Sequence, residues 1–467
     1  MKVIVWGLGE VYNRYKDKMN LNNIVGLVDN SIEKRIDFGE KQVISPFQLS
    51  NYEYDYIVIF SSKYYEEISY QLIMELGIDC KKILRWEYYL GNEVFGLFTI
   101  HNIINKFCKQ YHVRELLDVG GILSRNQILN IEDVYSIDLL YGTAEKIFFN
   151  NYSCVYKTYT EIKKQYDLLL TDELNYNWIS FQSCLTCSEK ILIIIPFNNL
   201  EDLLENNSQK IDLVNFSGYL FGYINKNNKK AKIFEVTHKN FIPINEQTYI
   251  PIHAGCKQSL HLGFMGDDTG DHISYFNSKI NECTALYWIW KNADYEILGL
   301  NHYRRFFKSE INSYMLQKIE VELLMEQYDI VVATSSYNKY FSIEQELKRT
   351  VCEEAFKRAR NYLDEIFNAL NKEENTAFRY VFQGHVMFPC NMFITSRKIL
   401  DEYCNWLFPK LFELIDNVTI NEKWDTYSKR IIGFIAERLL TVWIVQQNYR
   451  IKELPILLMG DGRPFGK

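Results

Sequence analysis

Short apolar runs alternate with polar, helix-like stretches along the N-terminal part of the chain. Three apolar segments have the length of a strand, namely Val3–Trp6, Ile24–Val28 and residues 56–60. A helical pattern follows over residues 64–76. Strands covered by helices on both faces are apolar throughout, so this order predicts a parallel sheet. We predict a small α/β domain over residues 1–92.

The next segment repeats this pattern, and several of its predicted strands end in glycine or aspartate. Asp118 leads into a pair of glycines, and Asp138 ends the following strand. This arrangement resembles a methyltransferase-type Rossmann domain, in which a glycine turn and a strand-end acid hold the nucleoside of the cofactor. Ile122 stands where a further glycine is usual, so we predict a degenerate domain of this type over residues 93–230.

The first domain carries only part of a dinucleotide-binding fingerprint. Gly7 and Gly9 follow its first strand, and Asp29 ends the second strand, where a ribose-binding acid is expected. Tyr12 occupies the third glycine position, where a large side chain obstructs close packing of helix and strand. We therefore predict a Rossmann-like domain with an architectural role, with retained nucleotide binding as the alternative.

The remaining residues, 231–467, are predicted to form a third α/β domain, which carries most of the candidate chemistry. Ligands of open α/β sheets bind at the carboxyl ends of the strands. The candidate donor-binding residues at two such strand ends are His238, Lys239, His302, Tyr303, Arg304 and Arg305. The two arginines suit a bidentate grip on phosphate, and the alternation of side chains along a strand predicts that only one of them faces the site.

An acidic loop lies between these two strand ends. Asp267, Asp268 and Asp271 place three carboxylates within five residues, beside two glycines. Like charges so close need a cation or hydrogen-bond donors. Either the loop helps to hold a divalent ion, or it binds ribose hydroxyls and backbone amides, or it is a solvated turn. Asn277, at the start of the next helix, is a further donor-binding candidate.

Polar residues inside apolar segments supply the other candidates. Asn391 interrupts a predicted strand over residues 388–394, and Glu437 and Arg438 lie in a helix whose apolar residues cover its whole circumference. Charges in such a helix are paired or functional. Glu437 is the first candidate for a catalytic base, and Asp425 is the second. Asn391 and Arg438 are candidate donor-binding residues.

The composition of the chain excludes only a few classes of function. The formal charge of −7 argues against a general nucleic-acid binder. No segment approaches the ~18 apolar residues of a membrane-spanning helix, and the N-terminus opens into a strand, so a cytoplasmic protein is expected. The aromatic content of 15% follows no motif in the first two domains, so it is not by itself a sign of carbohydrate binding.

The third domain resembles the DUF4422 family of capsular and exopolysaccharide glycosyltransferases. The motifs that carry the resemblance, in chain order, are His238-Lys239, Tyr249-x-Pro251-Ile252-x-x-Gly255, Gly266-Asp267-Asp268-Thr269-Gly270-Asp271, Glu282-x-Thr284-Ala285-Leu286-Tyr287-Trp288, His302-Tyr303-Arg304-Arg305, Asn391-Met392-Phe393-Ile394 and Glu437-Arg438-Leu439-Leu440. They span roughly half of the chain.

This resemblance implies a GT-A fold and a hexosyltransferase that moves a sugar from a nucleotide donor to a bacterial glycan. It implies a UDP-linked donor such as UDP-galactose or UDP-galactofuranose, and a glycan or lipid-linked oligosaccharide acceptor at the inner face of the membrane. The usual Asp-x-Asp metal site is replaced by Asn301-His302-Tyr303-Arg304. Either Arg304 or Arg305 neutralises the diphosphate, or Asp267, Asp268 or Asp271 recruits Mn²⁺ or Mg²⁺.

Two other functions remain open at this point. One is an S-adenosylmethionine-dependent methyltransferase of a glycan precursor, centred on Asp118 and Asp138. The other is a scaffold of polysaccharide assembly that binds a nucleotide sugar without turning it over.

Overall fold

The computed structural model describes residues 1–31, 43–91, 93–125, 131–140, 152–172, 187–200 and 211–459. The chain forms two compact units. Unit 1 contains residues 1–228 and a short segment, Ser309–Tyr314, and unit 2 contains Lys229–Lys308 and Met315–Lys467. Within the described ranges, no helix combines the length and the apolar character needed to cross a bilayer.

Unit 1 begins with a parallel five-stranded sheet of order β3-β2-β1-β4-β5. Its strands are β1 (Val3–Trp6), β2 (Ile24–Val28), β3 (Val43–Ile44), β4 (Tyr56–Ile59) and β5 (Ile83–Arg85). Three strands predicted from apolar runs are present, and their residues are almost all buried. The predicted parallel sheet is confirmed.

The second sheet of unit 1 has seven strands in the order β11-β12-β10-β9-β6-β7-β8. Its strands are β6 (Glu115–Val119), β7 (Ser136–Leu140), β8 (Cys154–Tyr156), β9 (Leu168–Asp172), β10 (Lys190–Ile194), β11 (Asp212–Phe216) and β12 (Tyr219–Asn225). Only β12 runs antiparallel to its neighbours β10 and β11. This order and direction are typical of the methyltransferase-type Rossmann sheet that the sequence resembles.

Among the described residues of unit 1, one helix is long and the others are short. They are α1 (Glu10–Tyr15), α2 (Tyr65–Tyr70), α3 (Trp86–Tyr89), α4 (Glu93–Gln110) and α5 (Ile122–Arg125). The two sheets lie in the predicted first and second domains, and the boundary between those domains, placed after residue 92, stays a prediction.

Unit 2 is built on a nine-stranded mixed sheet. Its main path has the order β15-β14-β13-β16-β21-β18-β22, and β17 pairs with both β16 and β23. Its strands are β13 (Ala231–Thr237), β14 (Tyr249–His253), β15 (Met265–Gly266), β16 (Ile297–His302), β17 (Arg305–Phe307), β18 (Ile330–Ala333), β21 (Phe393–Ser396), β22 (Ile451–Leu454) and β23 (Ile456–Leu458). A separate pair, β19 (Ser336–Tyr337) and β20 (Val386–Met387), is antiparallel. The predicted α/β class is confirmed here too.

Eight helices are described in unit 2. They are α6 (Asn277–Ile280), α7 (Cys283–Asn292), α8 (Lys318–Gln327), α9 (Ile343–Thr350), α10 (Glu353–Ala369), α11 (Lys372–Gln383), α12 (Arg397–Asn417) and α13 (Ile431–Gln446). Helix α13 is buried on nearly all sides, as its apolar circumference predicts. It packs with α7 and α12 in the core that covers one face of the sheet.

One local prediction in this unit is wrong. The predicted strand over residues 388–394 begins only at Phe393, because a tight turn over Pro389–Asn391 precedes it. Cys390 and Asn391 in this turn have φ of +70° and +52°.

Candidate functional site

A cavity of about 890 Å³ in unit 2 lies at the carboxyl ends of β13 and β16. Thr237, His238 and Lys239 enter it from the end of β13, and His302 enters it from the end of β16. The two strands are hydrogen-bonded parallel neighbours, so their carboxyl ends meet at one edge of the sheet. This is where open α/β sheets bind ligands.

The cavity lining is rich in positive charge. Its six lysines and arginines are Lys239, Lys279, Arg304, Arg305, Lys429 and Arg430, and its three carboxylates are Glu282, Glu422 and Glu437. This excess stands out in a chain whose formal charge is −7. Positive charges gathered in a concave site attract an anionic ligand.

Both arginines of the predicted pair line the cavity, although strand alternation predicts only one. The reason is that β16 ends at His302 and β17 begins at Arg305, so a tight turn separates them and the alternation stops. Within the described residues, Arg305 and Lys239 make no side-chain hydrogen bond or ion pair. A half-buried guanidinium without a partner is suited to a ligand carboxylate or phosphate.

His302 is held in one protonation state by its surroundings. Its Nε2 lies 2.6 Å from the carbonyl oxygen of Cys390. Because a carbonyl can only accept, Nε2 carries the proton and Nδ1 of the neutral ring carries a lone pair. The pKa of His302 is lowered to about 4, chiefly by burial and also by Arg305 and Arg304, against the raising effects of the Cys390 carbonyl and Glu437. The ring is therefore neutral at physiological pH.

Glu437 reaches the cavity from α13 and contacts Cys390, the residue that also contacts His302. Its Oε1 accepts a hydrogen bond of 2.5 Å from the backbone N–H of Cys390. Its Oε2 lies 3.8 Å from Nη1 of Arg438, which is longer than a hydrogen bond. Burial raises the pKa of Glu437, while Arg438 and His302 oppose the rise. A carboxylate with a raised pKa in a cavity is suited to proton transfer.

The backbone of Cys390 therefore joins the two titratable groups. Its N–H donates to Glu437 and its carbonyl accepts from His302. Positive φ at a non-glycine residue is a strained conformation that persists when surrounding contacts hold it, and such residues concentrate at functional sites. Two consecutive residues of this kind, Cys390 and Asn391, form the turn.

A second polar contact on the cavity wall fixes an arginine. Nε of Arg430, the residue before α13, donates to Oδ1 of Asn281 at 2.7 Å. Asn281 has φ of +51° and ψ of −128° and lies between α6 and α7. Its side chain lies directly over Gly433, where an added Cβ would come within 2.0 Å of Nδ2. All three residues line the cavity.

The acidic loop lies away from the cavity lining. Oδ1 and Oδ2 of Asp267 accept hydrogen bonds from the N–H groups of Cys256 and Gly255, and the Ser274 hydroxyl also donates to Oδ1. Tyr287 donates to the exposed Asp271. Burial and the neighbouring Asp268 carboxylate raise the pKa of the Cys256 thiol to about 11.

The Asp267 carboxylate is therefore satisfied by donors of the protein itself. Across the described ranges, no three His, Cys, Asp or Glu side chains are grouped so that they could hold a metal ion. The metal role of Asp267, Asp268 and Asp271 stays a prediction.

Four other candidates differ in their placement. Asn277 lines the cavity, where its amide donates to the carbonyl of Asn281. Asp425, Asn391 and Arg438 do not line it. The Asp425 carboxylate accepts from the hydroxyl and the N–H of Ser428, which lower its pKa and leave it a weak base. Asn391 is fully buried, 3.5 Å from Glu282 Oε1, and Arg438 is buried next to Glu437.

Sequence reasoning missed several lining residues. Glu282, Asn281, Lys279, Lys429 and Arg430 were not singled out as site residues, although Glu282 lies in a family motif. A basic pair immediately before a mostly apolar helix, Lys429-Arg430, was a signal that could have been used. Asn281 could not have been found in this way, because its role depends on an unusual backbone conformation.

The strand-end acids of unit 1 are already bound by the protein. Asp118 accepts from the N–H groups of Ile122 and Leu123. Asp138 accepts from the Tyr166 hydroxyl at 2.6 Å and pairs with Lys164. These contacts occupy the carboxylates that a methyltransferase would use, so they do not favour that function.

Comparisons with known proteins agree with the resemblance for unit 2. Residues 232–448 match the model of DUF4422, described as a domain of unknown function, and residues 1–84 match the N-terminal C2185-like family model. The first match confirms the resemblance that the motifs indicated for the C-terminal half. No curated protein matches the chain.

Two solved structures are similar to parts of the chain. The apo structure of the bifunctional glycosyltransferase WbbM is 25% identical with a TM-score of 0.43, and the match covers 50% of this chain and 46% of that one. The chain thus spans less than half the length of the WbbM chain. A Thermoplasma acidophilum protein is 16% identical with a TM-score of 0.20, over 24% of this chain and 76% of its own.

Proposed function

We propose that this protein, whose C-terminal half is of the DUF4422 type, is a glycosyltransferase that uses a nucleotide-sugar donor. The observation that carries the proposal is the cavity at the carboxyl ends of β13 and β16. It combines unpaired cations, Lys239 and Arg305, with a neutral histidine and a carboxylate of raised pKa. A nucleoside diphosphate is the kind of anion that such cations bind.

The leaving group is stabilised by positive charge in this mechanism. When the bond between the sugar C1 and the diphosphate oxygen breaks, the diphosphate departs with the bonding electrons. Arg304 and Arg305, between β16 and the start of β17, lie where they can neutralise that charge. The neutral His302 ring, with its Nδ1 lone pair, accepts a hydrogen bond from a hydroxyl of the donor or the acceptor.

Glu437 is the proposed base. The acceptor hydroxyl forms its new bond to the sugar C1, and its proton passes to Oε2 of Glu437, the oxygen without a hydrogen bond in the described structure. The Cys390 N–H holds Oε1 and thereby orients the carboxylate. This role applies to an inverting transfer, whereas a retaining transfer does not require a base.

The identities of the donor, the sugar and the acceptor are also proposals, and they come from the family resemblance. They are a UDP-linked donor, galactose or galactofuranose as the sugar, and a hexosyl transfer onto a capsular or exopolysaccharide glycan. A lipid-linked acceptor would bring the protein to the cytoplasmic face of the membrane.

The test is a donor panel assayed for nucleotide release. UDP-galactofuranose, UDP-galactose and UDP-glucose are each supplied with and without a glycan acceptor, and with and without EDTA. We expect release of UDP from one donor, and an Arg305→Gln variant with a ~10–100-fold weaker affinity for UDP, because a charge-assisted contact to phosphate is lost.

A matched control is Lys423→Gln, an exposed lysine outside the cavity lining. It should behave as the wild type. If no donor is turned over although UDP binds, the protein is a nucleotide-sugar-binding scaffold instead. If UDP does not bind at all, the cavity assignment itself is wrong.

A further inference from the structure

Arg430 is held by a neutral side chain, whereas the neighbouring cation Lys429 pairs with the carboxylate of Glu422. Asn281 accepts the Nε hydrogen of Arg430 at 2.7 Å. The two terminal nitrogens, Nη1 and Nη2, make no hydrogen bond or ion pair within the described residues. A guanidinium fixed through Nε presents its remaining N–H groups as a planar fork, which matches two oxygens of a phosphate.

The orientation of Arg430 by Asn281 depends on a close contact between the α6–α7 connection and α13. Asn281 lies on the connection between α6 and α7, and its amide rests on the backbone of α13 at Gly433. Any side chain at position 433 would meet Nδ2 of Asn281 at 2.0 Å through its Cβ. Glycine in the interior of a helix lowers helix stability, so its presence here indicates a close contact.

Arg430 also lies within electrostatic reach of groups from different walls of the cavity. Together with Lys239 and Arg304, it lowers the pKa of His238, on which burial has the largest effect. Together with Arg305, it opposes the rise that burial causes in the pKa of Glu282. Its charge is thus directed into the same space that the strand-end arginines face.

We propose that Arg430 binds the diphosphate of the donor, and that Asn281 is the positioning residue that orients it across Gly433. This inference rests on the proposed function, since it names a second phosphate contact in that cavity. Arg304 and Arg305 approach from the turn between β16 and β17, and Arg430 approaches from the residue before α13. The diphosphate would lie between them.

The experiment measures binding of UDP, inorganic pyrophosphate and uridine by calorimetry. Arg430→Gln should weaken UDP and pyrophosphate by a similar ~10–100-fold and leave uridine unchanged, because only the phosphate contact is lost. Arg430→Lys should recover only part of the affinity, since an ammonium lacks the fork. Lys423→Gln, exposed and outside the cavity, should match the wild type.

Asn281→Gly separates positioning from stability. Glycine adopts the backbone conformation of Asn281 more readily than asparagine does, so this variant deletes the side chain without straining the turn. We expect ~3–10-fold weaker pyrophosphate binding, about one neutral hydrogen bond, in the wild-type background. We expect no further loss in the Arg430→Lys background, where there is no Nε to hold. A merely structural role would give the same loss in both.

The outcomes distinguish this inference from the proposed function. If Arg305→Gln weakens UDP binding but Arg430→Gln does not, the role of Arg430 is overturned and the cavity assignment stands. If the wild type binds neither UDP nor pyrophosphate, both are overturned. Equal losses from Asn281→Gly in the two backgrounds would refute the positioning role.

Discussion

The two units place polar side chains at the carboxyl ends of parallel strands, but they use them differently. In unit 1, Asp29, Asp118 and Asp138 accept hydrogen bonds from nearby donors of the protein itself. In unit 2, Lys239 and Arg305 have no described side-chain partner and line a cavity. The strand-end position is therefore not sufficient to identify a ligand site.

The difference lies in which groups are already satisfied. Asp118 closes the turn after β6 by accepting from two backbone N–H groups, and this leaves little for a cofactor. Satisfied polar groups stabilise a fold, whereas cations left unpaired in a concave site are more costly and indicate a ligand. Each prediction below changes one group on one side of this contrast.

The largest effect is expected from Glu437→Gln. The amide cannot take the proton of the acceptor, so turnover should fall by ~10²–10⁴-fold while UDP affinity stays near the wild-type value. The measurement is kcat and Kd for the active donor, with the exposed Glu373→Gln as control.

The pH profile adds a second criterion for Glu437. Its pKa is raised above 4.5, and a base works only when ionised, so wild-type kcat should fall as the pH drops through that raised pKa. An unchanged kcat in Glu437→Gln would exclude the proposed base.

Glu235 provides a buried carboxylate of unit 2 that is not part of the cavity lining. It lies fully buried in β13, one oxygen lacks a hydrogen-bond partner, and burial raises its pKa to about 8 from 4.5. The folded state holds the proton more tightly than the unfolded state, so stability falls as the pH rises from about 4.5 to about 8.

Glu235→Gln should remove that dependence. The amide resembles the protonated acid, so the variant should gain on the order of a few kcal/mol over the wild type at pH 9 and little at pH 4. Urea unfolding at both pH values measures the difference, and Glu373→Gln should follow the wild type. A difference that does not change with pH would mean that Glu235 is ionised in the folded protein.

Asp118→Ala tests the structural side of the contrast. Two buried N–H groups lose their acceptor, so the free energy of unfolding should fall by about 1–3 kcal/mol, while transfer per folded molecule is unchanged. Asp17→Ala, at an exposed position, is the control. Heat on addition of S-adenosylmethionine to the wild type, lost in Asp118→Ala, would show instead that this acid binds a cofactor.

The smallest effect concerns the contact at Gly433. Gly433→Ala should destabilise the protein, because the new Cβ meets Asn281 at 2.0 Å. In an Asn281→Gly background the same change should stabilise it by about 1 kcal/mol, since alanine is the better helix residue. Thermal or urea unfolding of the four proteins gives the sign, and destabilisation in both backgrounds would refute the contact.

Part of the site could be predicted from its chemistry and position in the chain. His238, Lys239, His302, Arg304 and Arg305 are polar residues directly after apolar strands, and all of them line the cavity. The acidic loop was singled out from its charge alone, and Gly255, Cys256 and Ser274 satisfy its Asp267 carboxylate. Local charge does not reveal whether a backbone donor will fold onto it.

The backbone conformations at Cys390 and Asn281 are a second kind of feature that the sequence alone does not predict. Positive φ at Cys390 is sustained by Glu437 and His302, which are distant in sequence. Pro389 is a turn signal in the apolar run around Asn391, but proline also occurs at the first residue of a strand and in edge strands, so it does not decide between the two. Contacts between distant residues select the backbone conformation here, against its local preference.

By itself, the sequence determined the α/β class, the parallel order of the apolar runs and the burial of the helix at Ile431–Gln446. These follow from hydrophobic periodicity, which is a local property. Only the tertiary structure decided which charged residues have partners. Pairing depends on donors brought together by folding, and it separates the bound acids of unit 1 from the open cations of unit 2.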